Sequence, residues 1–273
     1  MTEKQILVKG LSINYKIFPA RQSLGLPVRS TQTGAGGGQG KPFLILHGWG
    51  SKSERWEKVG ELLSEKGFFV VVPDLPGFGK SQEPATAWNL DNYVEWLHEF
   101  SEKVLELNKS FYLFGHSFGG SIAIKFSIKY NQRVEKLFLA SAAFYRRKTL
   151  GKKVSYKVAK IVKIFSFLPY YDLARKAVYK FVLRKSDYPY VSGVMKDTYI
   201  NVISENLSLH FPFLKVFTII IWGDKDELTP LKDARFVHEK LHRSTLCIIP
   251  NVGHNLDRHD RPELLAQKIL ENV

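Results

Sequence analysis

The sequence predicts an α/β protein: a mostly parallel, twisted sheet with helices on both faces and an inserted helical cap. Three observations carry this. Short runs rich in β-branched and aromatic residues recur without apolar–polar alternation, and stretches of helical periodicity separate them. The rhythm stops near Phe144 and resumes at Phe217. A strand that is apolar on both sides must be buried on both sides, as in a parallel sheet covered by helices.

Taken in order, residues 6–8 and 11–17 read as two short strands around Gly10. Residues 19–41 are rich in Gly, Ser, Thr and Gln and include Gly34-Ala-Gly-Gly-Gly-Gln-Gly40. They hold too little apolar area to offset their ordering entropy, so a flexible loop is expected. A phosphate-cradling loop would need a Gly-Lys-Ser/Thr ending between a strand and a helix, and this segment has neither. Strands follow at 43–46, 68–72, 111–114 and 136–140, with helical stretches at 56–65 and 92–107. After the interruption come a strand at 217–222, a helix at 230–241, a strand at 245–249 and a closing helix at 262–269. The organisation is therefore a core over 1–143 and 213–273, interrupted by an insertion over 144–212.

The charge belongs to that insertion. The chain carries +14, and residues 146–185 hold thirteen Lys and Arg against the single acid Asp172, which accounts for +12. Val154, Val158, Ile161, Val162 and Phe165 share one helical face, with Lys153, Lys157, Lys160 and Lys163 on the other. Leu173, Ala177, Val178, Phe181 and Val182 form a second stripe flanked by basic residues. Two amphipathic basic helices are expected, forming a lid that meets an anionic membrane surface or an acidic carrier protein. No nucleic-acid motif accompanies the charge, so no specific nucleic-acid partner is expected.

One cysteine, Cys247, excludes an internal disulfide, and its apolar run at 245–249 predicts a buried, inert thiol. The N-terminus lacks the long apolar stretch of a signal peptide, and elsewhere no apolar run approaches the length of a bilayer span, which points to a cytoplasmic protein with, at most, peripheral membrane contact. No metal site and no cofactor are expected, since His, Cys and acids do not cluster at ligand spacing.

Gly115-His-Ser-Phe-Gly119 places a serine between two glycines. Such a pentapeptide arises by chance in roughly one chain in ten of this length, so its context decides. A strand precedes it and a helix follows, and the glycines permit a sharp turn that presents Ser117 as a nucleophile. The alternative is a helix N-cap. A serine hydroxyl needs a base. Of eight histidines, His98, His238 and His242 read as surface residues on helices, and His210 has no motif around it. His47 and His116 sit in glycine motifs where backbone conformation is the issue. His254 follows the last strand, and His259, among charged residues, is its competitor. An acid must fix the imidazole tautomer, and Asp224, Asp226 and Glu227 follow a strand end.

These motifs resemble the α/β-hydrolase superfamily. His47-Gly-Trp-Gly50 is similar to its HGxG loop, Asp74-Leu-Pro-Gly-Phe-Gly-Lys-Ser81 to its DxPGxGxS loop, and Trp222-Gly-Asp-Lys-Asp226 to its acid motif. Chain order Ser117, acid, His254 is that of the family. The resemblance implies a Ser117–Asp226–His254 triad, with Asp226 chosen over Asp224, and an oxyanion hole from the N–H groups of Trp49 and Phe118. It implies an esterase- or lipase-like serine hydrolase of carboxylesterase type, acting on a small-molecule acyl ester. Thioesters, lactones and carbon–carbon bonds would use the same residues, and a non-catalytic small-molecule receptor on this scaffold is the rival class. HGWG with Trp56 and DLPGFGKS is also similar to the esterases that demethylate pimeloyl-acyl carrier protein, for which a basic lid would suit an acidic carrier.

Overall fold

The structure is a computed structural model that describes residues 1–21, 40–105, 109–145, 192–258 and 261–273. Its eight strands form one sheet in the order β1-β2-β4-β3-β5-β6-β7-β8. β1 (Thr2–Val8) and β2 (Leu11–Phe18) form a hairpin whose turn residues, Lys9 and Gly10, both have positive φ, as a tight hairpin turn demands. β2 also pairs antiparallel with β4 (Phe68–Pro73). From β4 onward every pairing is parallel, through β3 (Lys41–Leu46), β5 (Phe111–His116), β6 (Val134–Ala140), β7 (Thr218–Gly223) and β8 (Ser244–Ile249).

Helices cover both faces. Phe43, Ile45, Val70 and Val72 pack with Leu63 of α1 (Glu57–Ser64) and Leu265 and Ile269 of α6 (Arg261–Leu270). Their strand neighbours Leu44, Leu46 and Val71 join the opposite core. There they meet Trp96 of α2 (Leu90–Val104), Ile122 of α3 (Phe118–Lys129) and Val237 of α5 (Leu231–Lys240). Successive residues of one strand thus enter different cores, which is why the runs lack alternation.

Three sequence expectations are corrected. The helix expected from residue 92 begins at Leu90, because Asn89 caps it. The Asn89 side chain accepts the Asn92 N–H at 3.0 Å, and the Asn92 side chain accepts the Asn89 N–H at 2.9 Å. His98 is not a surface residue: it is half-buried and stacks on Tyr130 at 4.1 Å, where α2 packs on α3. Cys247 is only half-buried, because β8 is the edge of the sheet and has a neighbouring strand on one side alone. Burial raises its thiol pKa all the same, as an inert thiol requires.

Residues 22–39 of the expected loop, and the two expected basic helices within 146–185, lie outside the described residues. The described end of the insertion holds α4 (Gly193–Ser204), and Phe144, Leu207 and Phe211 are buried in the same core as α3. Thr198 of α4 accepts the Trp88 N–H at 3.0 Å, and Asn201 donates to the Trp88 carbonyl at 3.3 Å. Among the described residues no helix is long and apolar enough to cross a membrane.

Candidate active site

β5, β7 and β8 run parallel, so the loops that follow them emerge at one edge of the sheet, where open α/β sheets hold their ligands. Those loops carry Ser117, Asp226 and His254.

β5 turns into α3 at Ser117, which sits at φ 52° and ψ −114°. A non-glycine residue in this region costs on the order of 1–3 kcal/mol and persists only where its surroundings over-determine it. Here the Ser117 N–H donates to the Ala140 carbonyl at 3.1 Å, and the Ser117 carbonyl accepts the N–H groups of Gly120 and Ala143, each at 3.0 Å. Neither flanking glycine has a positive φ. They permit close approach: a Cβ on Gly115 would lie 2.5 Å from the Gly119 carbonyl oxygen, and one on Gly119 would lie 2.4 Å from that of Leu46.

Ser117 stands at the N-cap position of α3, but its side chain makes no cap bond to the helix. Its Oγ lies 3.1 Å from His254 Nε2, and His254 Nδ1 lies 2.9 Å from Asp226 Oδ2. Asp226 is buried, and its Oδ1 accepts the N–H groups of Leu228 at 2.9 Å and Thr229 at 2.8 Å. Burial pushes this carboxyl up, but the hydrogen bond and charge of His254 and the Thr229 N–H outweigh it, and the net shift is downward. An ionised acceptor therefore faces Nδ1, which leaves Nε2 as the basic nitrogen toward Ser117. Asp224 is not in this chain of contacts, although its own N–H donates to the Ile249 carbonyl, and Glu227 is exposed. His259 lies outside the described residues.

Trp49 and Phe118 both lie close to Ser117. A Cβ on Gly48 would come within 3.2 Å of Ser117 Cβ, so the loop bearing Trp49 lies against the serine. Phe118 is the first residue of α3, and its N–H therefore has no acceptor within the helix.

Several polar residues hold this edge together, a role the sequence did not reveal. The Thr229 hydroxyl lies 2.8 Å from Asp226 Oδ2 and 3.2 Å from both His254 Nδ1 and the Ser141 carbonyl. His47, fully buried, donates from Nδ1 to the Gly48 carbonyl and accepts the Leu75 N–H at Nε2, at 2.8 and 2.9 Å. Asp74 accepts from Ser53 N–H, Asn14 Nδ2 and Lys80 N–H at 2.6–2.9 Å, tying the loop beyond Trp49 to β2 and to the loop after β4. His116 bonds the His254 backbone. The spacing Asp226–Thr229 was available as a turn signal; the other contacts join residues far apart in sequence.

A sequence profile of the α/β-hydrolase fold matches residues 41–149. Lipase 3 of Moraxella sp. (strain TA144) is 24% identical over 236 residues, spanning 79% of this chain and 72% of its own. Among solved structures, the esterase EaEST of Exiguobacterium antarcticum superposes with a TM-score of 0.71 at 22% identity, covering 99% of this chain and 98% of its own. CumD, a meta-cleavage product hydrolase of Pseudomonas fluorescens IP01, gives 0.66 at 23%, with the same coverages. The chain has the α/β-hydrolase fold.

The surroundings of Ser117 are aromatic. The Trp49 ring lies 4.9 Å from Phe78, 5.2 Å from Phe118 and 5.0 Å from Tyr199 of α4, all edge-on. A separate surface hollow between α1 and α6, lined by Leu62, Lys66, Glu263 and Leu270, shares no residue with this edge. Among the described residues no cluster of His, Cys and acids could hold a metal ion.

Burial lowers the pKa of His47 from 6.5 to about 4, and burial with the neighbouring charge of His254 lowers that of His116 from 6.5 to about 3. The unfolded chain takes up these protons below 6.5 and the folded protein does not, so stability is complete above 6.5 and falls as pH drops toward the folded values. The lowered carboxylates act only below their own unfolded values, near 4. Urea midpoints should therefore fall between pH 6.5 and 5. In His116→Gln the slope should be shallower by about 1.4 kcal/mol per pH unit. An unchanged slope would contradict the buried neutral ring.

Proposed function

We propose that the protein is a serine hydrolase that cleaves a carboxylic ester of a small-molecule substrate through an acyl-enzyme on Ser117. The observation that carries this is the chain of contacts Ser117 Oγ–His254 Nε2–Asp226 Oδ2, at 3.1 and 2.9 Å, at the edge where the strained serine stands clear of its helix. The lipase among its relatives supports an ester as the substrate.

In this reading Ser117 Oγ attacks the acyl carbonyl carbon while His254 Nε2 takes its proton. Asp226, held ionised, stabilises the imidazolium and keeps Nδ1 protonated. The carbonyl oxygen gains a negative charge against the N–H groups of Trp49 and Phe118. His254 returns the proton to the departing alcohol, then draws one from water as it attacks the acyl-enzyme and frees the acid. Thioesters and lactones fit the same steps, as does carbon–carbon cleavage of an activated ketone, and a graded panel of p-nitrophenyl and thioesters sorts them. The insertion over 144–212 is read as the cap that completes the acyl site.

Ser117→Ala should lower kcat by on the order of a million-fold while leaving the thermal transition in place. Asp226→Asn should cost roughly ten-thousand-fold, because the amide favours the wrong histidine tautomer. Asp224→Asn should cost far less. A folded Ser117→Ala protein with a few per cent of wild-type turnover would sink the mechanism, and a reversal of the two aspartates would move the acid to Asp224.

The concentrated charge of residues 146–185 fits a cytoplasmic enzyme whose cap binds an anionic membrane surface, with an acidic carrier protein as the other partner of that chemistry. The protein should co-sediment with anionic but not neutral vesicles at low salt. Binding should weaken as the Debye length shrinks to about 8 Å at physiological salt. Failure to bind either anionic vesicles or an acidic carrier at low salt would reduce the segment to a solvated face.

A further inference from the structure

We infer that His116 is a positioning residue for the base: its ring holds the His254 backbone against the strand that carries Ser117. The inference rests on the reading of Ser117 and His254 as nucleophile and base. His116 is the last residue of β5 and the immediate neighbour of Ser117. Its ring is 5% exposed, lies 5.4 Å from Trp56 and 5.0 Å from the His254 ring, and its Nε2 is 2.9 Å from the His254 carbonyl oxygen. A carbonyl oxygen only accepts, so Nε2 carries the proton and Nδ1 is left as an acceptor. That Nδ1 is buried without a partner among the described residues.

The cost of this arrangement decides between packing and positioning. A buried polar atom without a partner costs about 1–3 kcal/mol, and an apolar side chain of similar volume would fill the space beside Trp56 without it. What the imidazole adds is the bond to His254, which bridges 138 residues of sequence. The loop bearing His254 follows the edge strand β8, is half-buried or exposed over much of its length, and passes through Asn251 at φ 59°. The His254 carbonyl takes one further bond, from the Leu256 N–H at 3.1 Å, which is local and turns with the loop. The His116 bond instead refers the His254 peptide to the sheet, so nucleophile and base move as one unit.

Glutamine can present a donor where His116 Nε2 stands, and methionine matches its length without one. With the p-nitrophenyl ester that the wild type turns over best, His116→Met should lower kcat about ten- to hundredfold with KM within about twofold, the penalty of a base displaced by a fraction of an ångström. His116→Gln should keep kcat within about threefold of wild type. Equal kcat for folded Met and Gln variants would overturn the inference. A measurement on the native protein covers a Met variant that does not fold: ¹⁵N spectra of the histidine rings should show His116 protonated at Nε2 alone, and the Nδ1–H tautomer would overturn the bond. Labelling of wild-type Ser117 by a fluorophosphonate tests the underlying reading separately, since an unlabelled serine would remove that reading while leaving the ring tautomer measurable.

Discussion

Everything at this edge of the sheet depends on one backbone constraint, the left-handed conformation of Ser117. A chain that leaves a strand and enters a helix within one residue must reverse its direction, and that residue takes φ 52°. The strain is held in place by the parallel neighbour β6, whose Ala140 carbonyl receives the Ser117 N–H, and by glycines that let α3 approach Leu46. The same approach brings the Gly48 loop against Ser117. Ser117, the start of α3 and the loop that bears Trp49 are thus packed against one another.

Around that point the histidines have fixed and alternating tautomers. His47 donates from Nδ1 to Gly48, His116 donates from Nε2 to His254, and His254 presents Nδ1 to Asp226. Each choice is imposed by a carbonyl or carboxylate that can only accept. Burial keeps His47 and His116 neutral at physiological pH, so no second cation competes with an imidazolium at His254. Asp74 supplies the corresponding anchor on the other side, beneath the loop that carries Trp49.

The strands were legible because each enters two cores, so that neighbours such as Leu44 and Ile45 are both apolar. Ser117, Asp226 and His254 were legible as residue types following strand ends, and the structure brings those three together. What the sequence hid depends on position in the sheet or on contacts between distant residues. Cys247 lies in an apolar run, yet its strand is an edge, which no local pattern reveals. His98 has polar neighbours along its helix, and only the packing of α2 on α3 puts Tyr130 over its ring. His116 and Thr229 are ordinary residues until the ends of β5, β7 and β8 are brought side by side.

The central claim is that an acyl group passes through Ser117. Rapid mixing of the enzyme with excess p-nitrophenyl ester, quenched in acid and followed by peptide mass analysis, tests it most directly. The account predicts a burst of p-nitrophenol approaching one equivalent per enzyme whenever deacylation is slower than acylation, with the acyl mass on the peptide that contains Ser117. Turnover with the acyl mass on another residue, or with no acylated peptide even when hydroxylamine is shown to accelerate product formation, would contradict it.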